Sequence, residues 1–236
     1  MKELLLSILF PKRCVNCKRF GKYICDDCFA RIHYLDFSKC IECMKPSVSS
    51  LTHAKCKRKN SMDGVFVAVE YKSVIKKAVY SYKYEPYIYH LGEIFSRLMY
   101  ESLVQNEVAQ NVLSVSSNVW ITCVPLHEKR LRKRGYNQSE ILGRKLSEKM
   151  KLRFNSNLLI RTRNTIAQFK LKKEERAKNI VGAFEITPKY SEKMRGKTIF
   201  IVDDVFTSGA TLRECGKLLK KAGAKAVYGL IFSMEQ

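Results

Sequence analysis

No stretch of this 236-residue chain approaches the roughly 20 consecutive apolar residues that a membrane-spanning helix needs, which excludes that architecture. The apolar start, Leu4-Leu5-Leu6 and Ile8-Leu9-Phe10, is too short for a secretory leader and has no small-residue cleavage site after it. A reducing, cytoplasmic compartment is therefore expected, and the amphipathic face of Leu5, Ile8 and Leu9 is expected to pack on the protein rather than on lipid. Acidic residues are the second shortage: 22 Asp and Glu stand against 44 Lys and Arg, a formal net charge of +22. Solubility needs far less, so the surplus points to a polyanionic partner.

Cysteine is present, and unevenly distributed. Seven of the nine cysteines fall before residue 60, as Cys14-x2-Cys17, Cys25-x2-Cys28, Cys40-x2-Cys43 and, with a histidine in the first place, His53-x2-Cys56. Each two pairs supply four soft or borderline ligands on two hairpins, the set that tetrahedral Zn²⁺ takes. Disulfides are the competing use, and the missing leader argues against them. Four protein ligands close the metal shell, so both zincs are expected to be structural, supplying folding energy that so short and polar a segment cannot raise alone. Cys123 and Cys215 read as small core residues. Even with seven thiolates and two Zn²⁺ the charge balance stays strongly positive.

Cysteines stop near residue 60 and periodic structure begins, which divides the chain into a zinc module, 1–60, and a second domain, 61–236. Apolar runs at 63–71, 119–124, 158–160, 180–186, 198–202 and 226–232 read as strands, whereas 72–84, 88–105 and 137–151 carry helical periodicity. Residues 106–118 read as a polar connection. Strands alternating with helices predict an α/β fold with a mostly parallel sheet covered on both faces.

The most informative segment is Val202-Asp203-Asp204-Val205-Phe206-Thr207-Ser208-Gly209-Ala210-Thr211, between a buried strand and a helix. The helix N-terminus offers unpaired N–H groups and partial positive charge to a phosphate, Gly209 permits close approach, and three hydroxyls add donors. Two carboxylates facing a phosphate would repel it, so they are expected to accept bonds from sugar hydroxyls, in a solvent-facing cleft. Ligands of open parallel sheets bind at the carboxyl ends of the strands. That rule places the basic segment Lys129, Arg130, Arg132, Lys133 and Arg134 on the same rim, where arginine forks suit a diphosphate. Tyr80, Tyr82, Tyr84, Tyr87 and Tyr89 could stack bases, although packing is the commoner role of tyrosine.

The segment 202–211 resembles the phosphoribosyl pyrophosphate (PRPP) signature of type I phosphoribosyltransferases. With Arg130 to Gln138, with Gln168 and Glu175 to Phe184, and with the double zinc-finger start, the chain resembles the ComF family of natural-competence proteins. The resemblance implies a type I phosphoribosyltransferase fold. It puts the ribose hydroxyls on Asp203 and Asp204, the 5′-phosphate on Thr207, Ser208, Gly209, Ala210 and Thr211, and the pyrophosphate, with Mg²⁺, on Arg130 and Arg134. It also implies a mobile loop at 168–176 and single-stranded DNA as the polyanion, which the basic cluster Arg130, Arg132, Lys133 and Arg134 is expected to contact. A competence helicase and recombination-loading proteins would be partners, bringing the chain to the inner face of the membrane. No base-binding hood is recognisable, so three outcomes stand: a binder of single-stranded DNA and PRPP, an active transferase to an unidentified nitrogen acceptor, or a PRPP-sensing regulator without turnover.

Metal analysis of protein purified without chelator should return two zinc ions per chain. One zinc, with His53 outside ligand distance of it, would contradict the second site.

Overall fold

Every residue of Gly64–Glu70 is buried, as a strand covered on both faces must be. The computed structural model, which describes residues 11–35, 37–116, 118–165 and 178–235, makes it β3 of a five-stranded parallel sheet. Two short strands of the cysteine-rich region, β1 (Ser38–Lys39) and β2 (Pro46–Ser47), precede it and pair with each other. The sheet runs in the order β3, β9 (Ala226–Met234), β8 (Thr198–Phe206), β4 (Val119–Cys123) and β5 (Arg153–Phe154), all parallel. Alternate strand residues feed two cores, as the two-residue side-chain period requires. Phe66, Phe200, Leu230 and Phe232 meet α2 (Ser73–Lys83), α3 (Leu91–Gln105) and α6 (Gln138–Met150) on one face. Val65, Ile199, Ile201 and Val227 meet Leu212, Cys215 and Leu219 of α7 (Ala210–Lys221) on the other.

The cysteine-rich region wraps the free edge of β3. Leu35 N donates to Ala68 O at 3.0 Å, Glu70 N to His33 O at 2.9 Å, and Val65 N to Ser50 O at 2.8 Å. An exposed parallel edge would otherwise present a row of unpaired backbone groups. Cys14, Cys25 and Cys28, around α1 (Asp26–Phe29), join the core that contains α2 and α3, whereas Ile41 joins the core that contains α7. The two halves of the module therefore serve opposite faces of the sheet.

Three expectations are corrected. Residues 106–118 are not a plain connection: Glu107–Ser114 is a helix, α4, capped by Asn106, whose side chain accepts from Ala109 N at 2.9 Å. Its apolar positions 108, 109, 112 and 113 recur at helical spacing, hidden among Gln and Asn. The apolar runs near 158 and 184 do not join the main sheet but form an antiparallel ribbon of β6 (Leu159–Arg161) and β7 (Phe184–Ile186). Residues 180–183 turn before β7, with Gly182 at φ +65°. The third correction concerns β8, which runs on to Phe206, so the acidic pair lies within the strand rather than after it. The readings for residues 1–10 and 168–176 lie outside the described residues.

Tyr82, fully buried on α2, ties this frame to the sheet's C-terminal rim. Its hydroxyl donates to Gln138 O at 3.0 Å, and its own carbonyl accepts from Tyr136 Oη at 2.5 Å. Tyr82→Phe, which leaves Gln138 O without this donor, should cost about 1–2 kcal/mol in urea unfolding. An unchanged midpoint would show that this link is not structural.

Candidate PRPP site at the sheet rim

Helix α7 is preceded by Gly209 as its N-cap, whose φ of +69° is open to glycine and costly for other residues. Space demands glycine as well: a Cβ there would lie 2.9 Å from both Ile41 Cδ1 and Phe206 Cε2. The turn so formed faces a cavity of about 480 Å³ at the carboxyl ends of the strands. Thr207 and Thr211 line it from the turn, and Asp203 and Asp204 from β8. Ser208 and Ala210 are buried, with Ser208 Oγ turned back toward Ala210 N at 3.5 Å, so backbone rather than these side chains is what they offer a ligand.

Opposite the turn stand five cations, Lys83, Arg130, Lys133, Arg134 and Arg161. The basic segment lies on a helix, α5 (Glu128–Arg134), N-capped by His127, whose Nδ1 accepts from Lys129 N at 3.2 Å. Helical spacing decides which of its charges reach the cavity: 130, 133 and 134 share a face, and 132 does not. Arg132, with a side chain 76% exposed, pairs instead with Glu128 at 3.2 Å. Arg130 donates to Thr165 O at 2.5 Å, and Arg134 to Gln138 Oε1 at 2.8 Å while lying 5.3 Å over the Tyr84 ring. Burial and the neighbouring Arg130 lower the pKa of Arg161 to about 10, and its buried Nε has no partner among the described residues. Such a cluster favours an anionic occupant.

The acidic pair is not simply solvent-facing. Asp204 is buried and accepts from Lys83 Nζ at 2.8 Å. Asp203 Oδ1 accepts from Ser139 Oγ at 2.8 Å and from Asp204 N at 3.0 Å. Burial and the adjacent Asp204 push the Asp203 carboxyl up to about 7, against the pull of Lys83. Burial works against the Lys83 ammonium, yet Asp204 and Asp203 outweigh it and hold its pKa above the ordinary value. Asp204 is thus committed to an internal partner, and Asp203 is the acid poised to change charge near neutrality.

Residues 147–233 match the family model of a phosphoribosyl transferase domain, and residues 5–58 that of a double zinc ribbon domain. The DNA utilization protein YhgH of Escherichia coli (strain K12) is 30% identical over 210 residues, covering 86% of this chain and 87% of that protein. Competence protein F of Haemophilus influenzae is 26% identical over 224 residues, covering 92% and 95%. Competence protein ComFC of Streptococcus pneumoniae is 26% identical over 210 residues, covering 86% and 84%. The chain belongs to the ComF family.

The zinc ribbons of this ComF chain are built to fit the metal. The ligand atoms of Cys14, Cys17, Cys25 and Cys28 lie within 4.8 Å of one another, as do those of Cys40, Cys43, His53 and Cys56. Burial opposes the Cys14 thiolate, but backbone donors at Cys17, Cys25 and Asn16 outweigh it and pull the pKa down to about 6. His53 Nδ1 lies 3.4 Å from Cys43 Sγ while Nε2 lies 3.1 Å from Pro46 O. One ring nitrogen thus turns to the metal position and the other donates to a carbonyl, the usual orientation of a zinc-bound imidazole.

Sequence reasoning passed over Lys83, Ser139 and Tyr71 as members of this cavity. For Lys83 a signal existed: it stands four residues after Val79 and beside Tyr82, on the buried stripe of α2, where a charge needs a partner. Ser139 carried none, being one more serine at a helix start.

Because the Asp203 pKa rises from 3.8 to about 7 on folding, the folded protein holds a proton there that the unfolded chain releases. The stability this group contributes is present at low pH and is lost as pH rises through about 7. Asp203→Asn should therefore gain several degrees in melting temperature over the unaltered protein between about pH 5 and pH 8, without ligand. A difference independent of pH would contradict the assignment.

Proposed function

We propose that this ComF-family chain serves DNA uptake or utilization by binding single-stranded DNA and, with Mg²⁺, PRPP. The observation that carries the PRPP half is the juxtaposition in one cavity of a carboxylate pair, a phosphate-type turn and five cations. The 5′-phosphate takes the backbone N–H groups of the turn 207–211 and the hydroxyls of Thr207 and Thr211. Ribose hydroxyls donate to Asp203, which ionises as it gains them, and to the outer edge of Asp204. The pyrophosphate takes Arg130 and Arg134, with Lys133 and Arg161 beside them. Mg²⁺, a hard cation that prefers oxygen, would be held beside the Asp203 carboxylate and would supply charge neutralisation for the pyrophosphate.

The DNA half is supported by the names of the relatives and by the charge of +22. It is also supported by an aromatic wall at the cavity mouth. Tyr80 is 60% exposed and lies 5.1 Å from the Tyr84 ring, with Tyr87 lining the same cavity. A strand crossing α5 would meet phosphate-binding charge at Arg132 and Lys133 and rings on which bases stack, at about 1–3 kcal/mol each. The same wall favours transfer to a planar nitrogen acceptor as the second reading. Pyrophosphate release on mixing with PRPP, Mg²⁺ and candidate acceptors supports it, and its absence with PRPP bound leaves the binding function.

Three substitutions separate the two anions. Arg132→Ala should lower affinity for all single-stranded sequences alike and flatten the salt dependence by about 0.7 units of slope, leaving PRPP binding unchanged. Arg130→Ala and Arg134→Ala should weaken both, and millimolar PRPP with Mg²⁺ should compete with DNA. DNA affinity indifferent to PRPP and to all three substitutions would move the DNA path away from this rim.

A further inference from the structure

Arg213, one turn into α7, reaches back behind the phosphate turn. Its Nη2 donates to Ser208 O at 2.9 Å and its Nη1 to Ile41 O at 2.6 Å, with Met44 Sδ 3.8 Å away. Ser208 belongs to the turn, whereas Ile41 and Met44 belong to the knuckle of the second zinc site, which begins at Cys40 and includes Cys43. Ile41 is fully buried, and its Cδ1 occupies the space that a Cβ on Gly209 would need. The knuckle thus holds the back of the turn twice, once through a shared guanidinium and once through an apolar contact. A planar fork can serve two carbonyls at fixed angles; the single ammonium of lysine cannot reproduce that geometry.

We propose that the second zinc knuckle is part of the phosphate-binding apparatus, with Arg213 and Ile41 as positioning residues that hold the turn 207–211 in its ligand-ready form. This rests on the reading that the turn takes the 5′-phosphate. The knuckle keeps its shape through its metal, since a few polar residues cannot fold without one. Loss of that zinc frees Ile41, removes one of the two acceptors of Arg213, and lets Gly209 leave its left-handed conformation. Coupling between two binding sites is reciprocal, so a ligand on the turn must in return retain the second zinc. The first zinc site packs in the core on the opposite face of the sheet and makes no such contact among the described residues. It is the internal control.

The test uses the full chain. Amide exchange over residues 205–213, without ligand, is compared between the two-zinc protein, Cys43→Ser, and Arg213→Ala and Arg213→Lys, which keep all eight zinc ligands. Exchange in the turn should rise about tenfold in all three variants, within the usual range of coupling between sites. In parallel, a zinc-selective chelator is applied with and without PRPP and Mg²⁺. PRPP should slow the release of one of the two zincs severalfold, and Arg213→Ala should erase that protection. Unchanged exchange in the Arg213 variants, or two zincs released at unaltered rates while PRPP is demonstrably bound, would overturn the coupling. If PRPP does not bind the unaltered protein, the reading of the turn fails, and the ligand-free exchange still decides whether the knuckle holds it.

Discussion

The ion pair between Lys83 and Asp204 is the contact around which the rim is arranged. It joins the C-terminal end of α2 to the C-terminal end of β8, and both partners are largely withdrawn from water. Removing one member of such a pair costs about 3–5 kcal/mol, because the survivor is left charged and unpaired. The pair also borders Asp203, whose carboxyl is pushed up to about 7 by burial and by the adjacent Asp204, against the pull of Lys83. In the cavity without ligand Asp203 therefore holds back its charge until the pH approaches neutrality. On the proposed reading, a sugar whose hydroxyls donate to Asp203, arriving with an anion that the arginines accept, would supply the conditions under which it can ionise.

The second constraint is the edge of β3. A parallel sheet must have both faces and both edges dealt with, and here the ribbon module supplies backbone partners along β3 while contributing Ile41 to one core and Cys14, Cys25 and Cys28 to the other. The module is therefore tied to the sheet at several levels: as an edge cover, as core, and through Arg213 as a brace on the turn. The charges on α5 are sorted by the same elementary geometry. A seven-residue helix cannot point 130, 132, 133 and 134 in one direction, so three of these side chains line the cavity and Arg132 lies in solvent.

Much of this was legible in the sequence, for identifiable reasons. Strands buried on both faces write themselves as apolar runs, and residues 63–71 and 226–232 read that way. The turn at 207–211 is local, a strand, a glycine and a helix start within ten residues, and zinc ligands come in short fixed spacings. What the sequence concealed depends on tertiary context. The ribbon of β6 and β7 looks like two sheet strands because an apolar run does not reveal its partner. Helix α4 was obscured by Gln and Asn around four apolar positions. The depth of Asp204 was invisible because its partner lies 121 residues earlier, and the brace at Arg213 because it spans 172 residues to Ile41.

The central claim is that one cavity at the end of β8 receives a phosphorylated sugar, phosphate on the turn and diphosphate on α5. A crystal structure of the protein grown with PRPP and Mg²⁺ tests it most directly. The account predicts density for the 5′-phosphate against the amides of residues 207–211, ribose hydroxyls within hydrogen-bond distance of Asp203, and the pyrophosphate beside Arg130 and Arg134, with the Lys83–Asp204 contact intact. Density for PRPP outside this cavity, or in it with the phosphate away from the turn, would contradict the account.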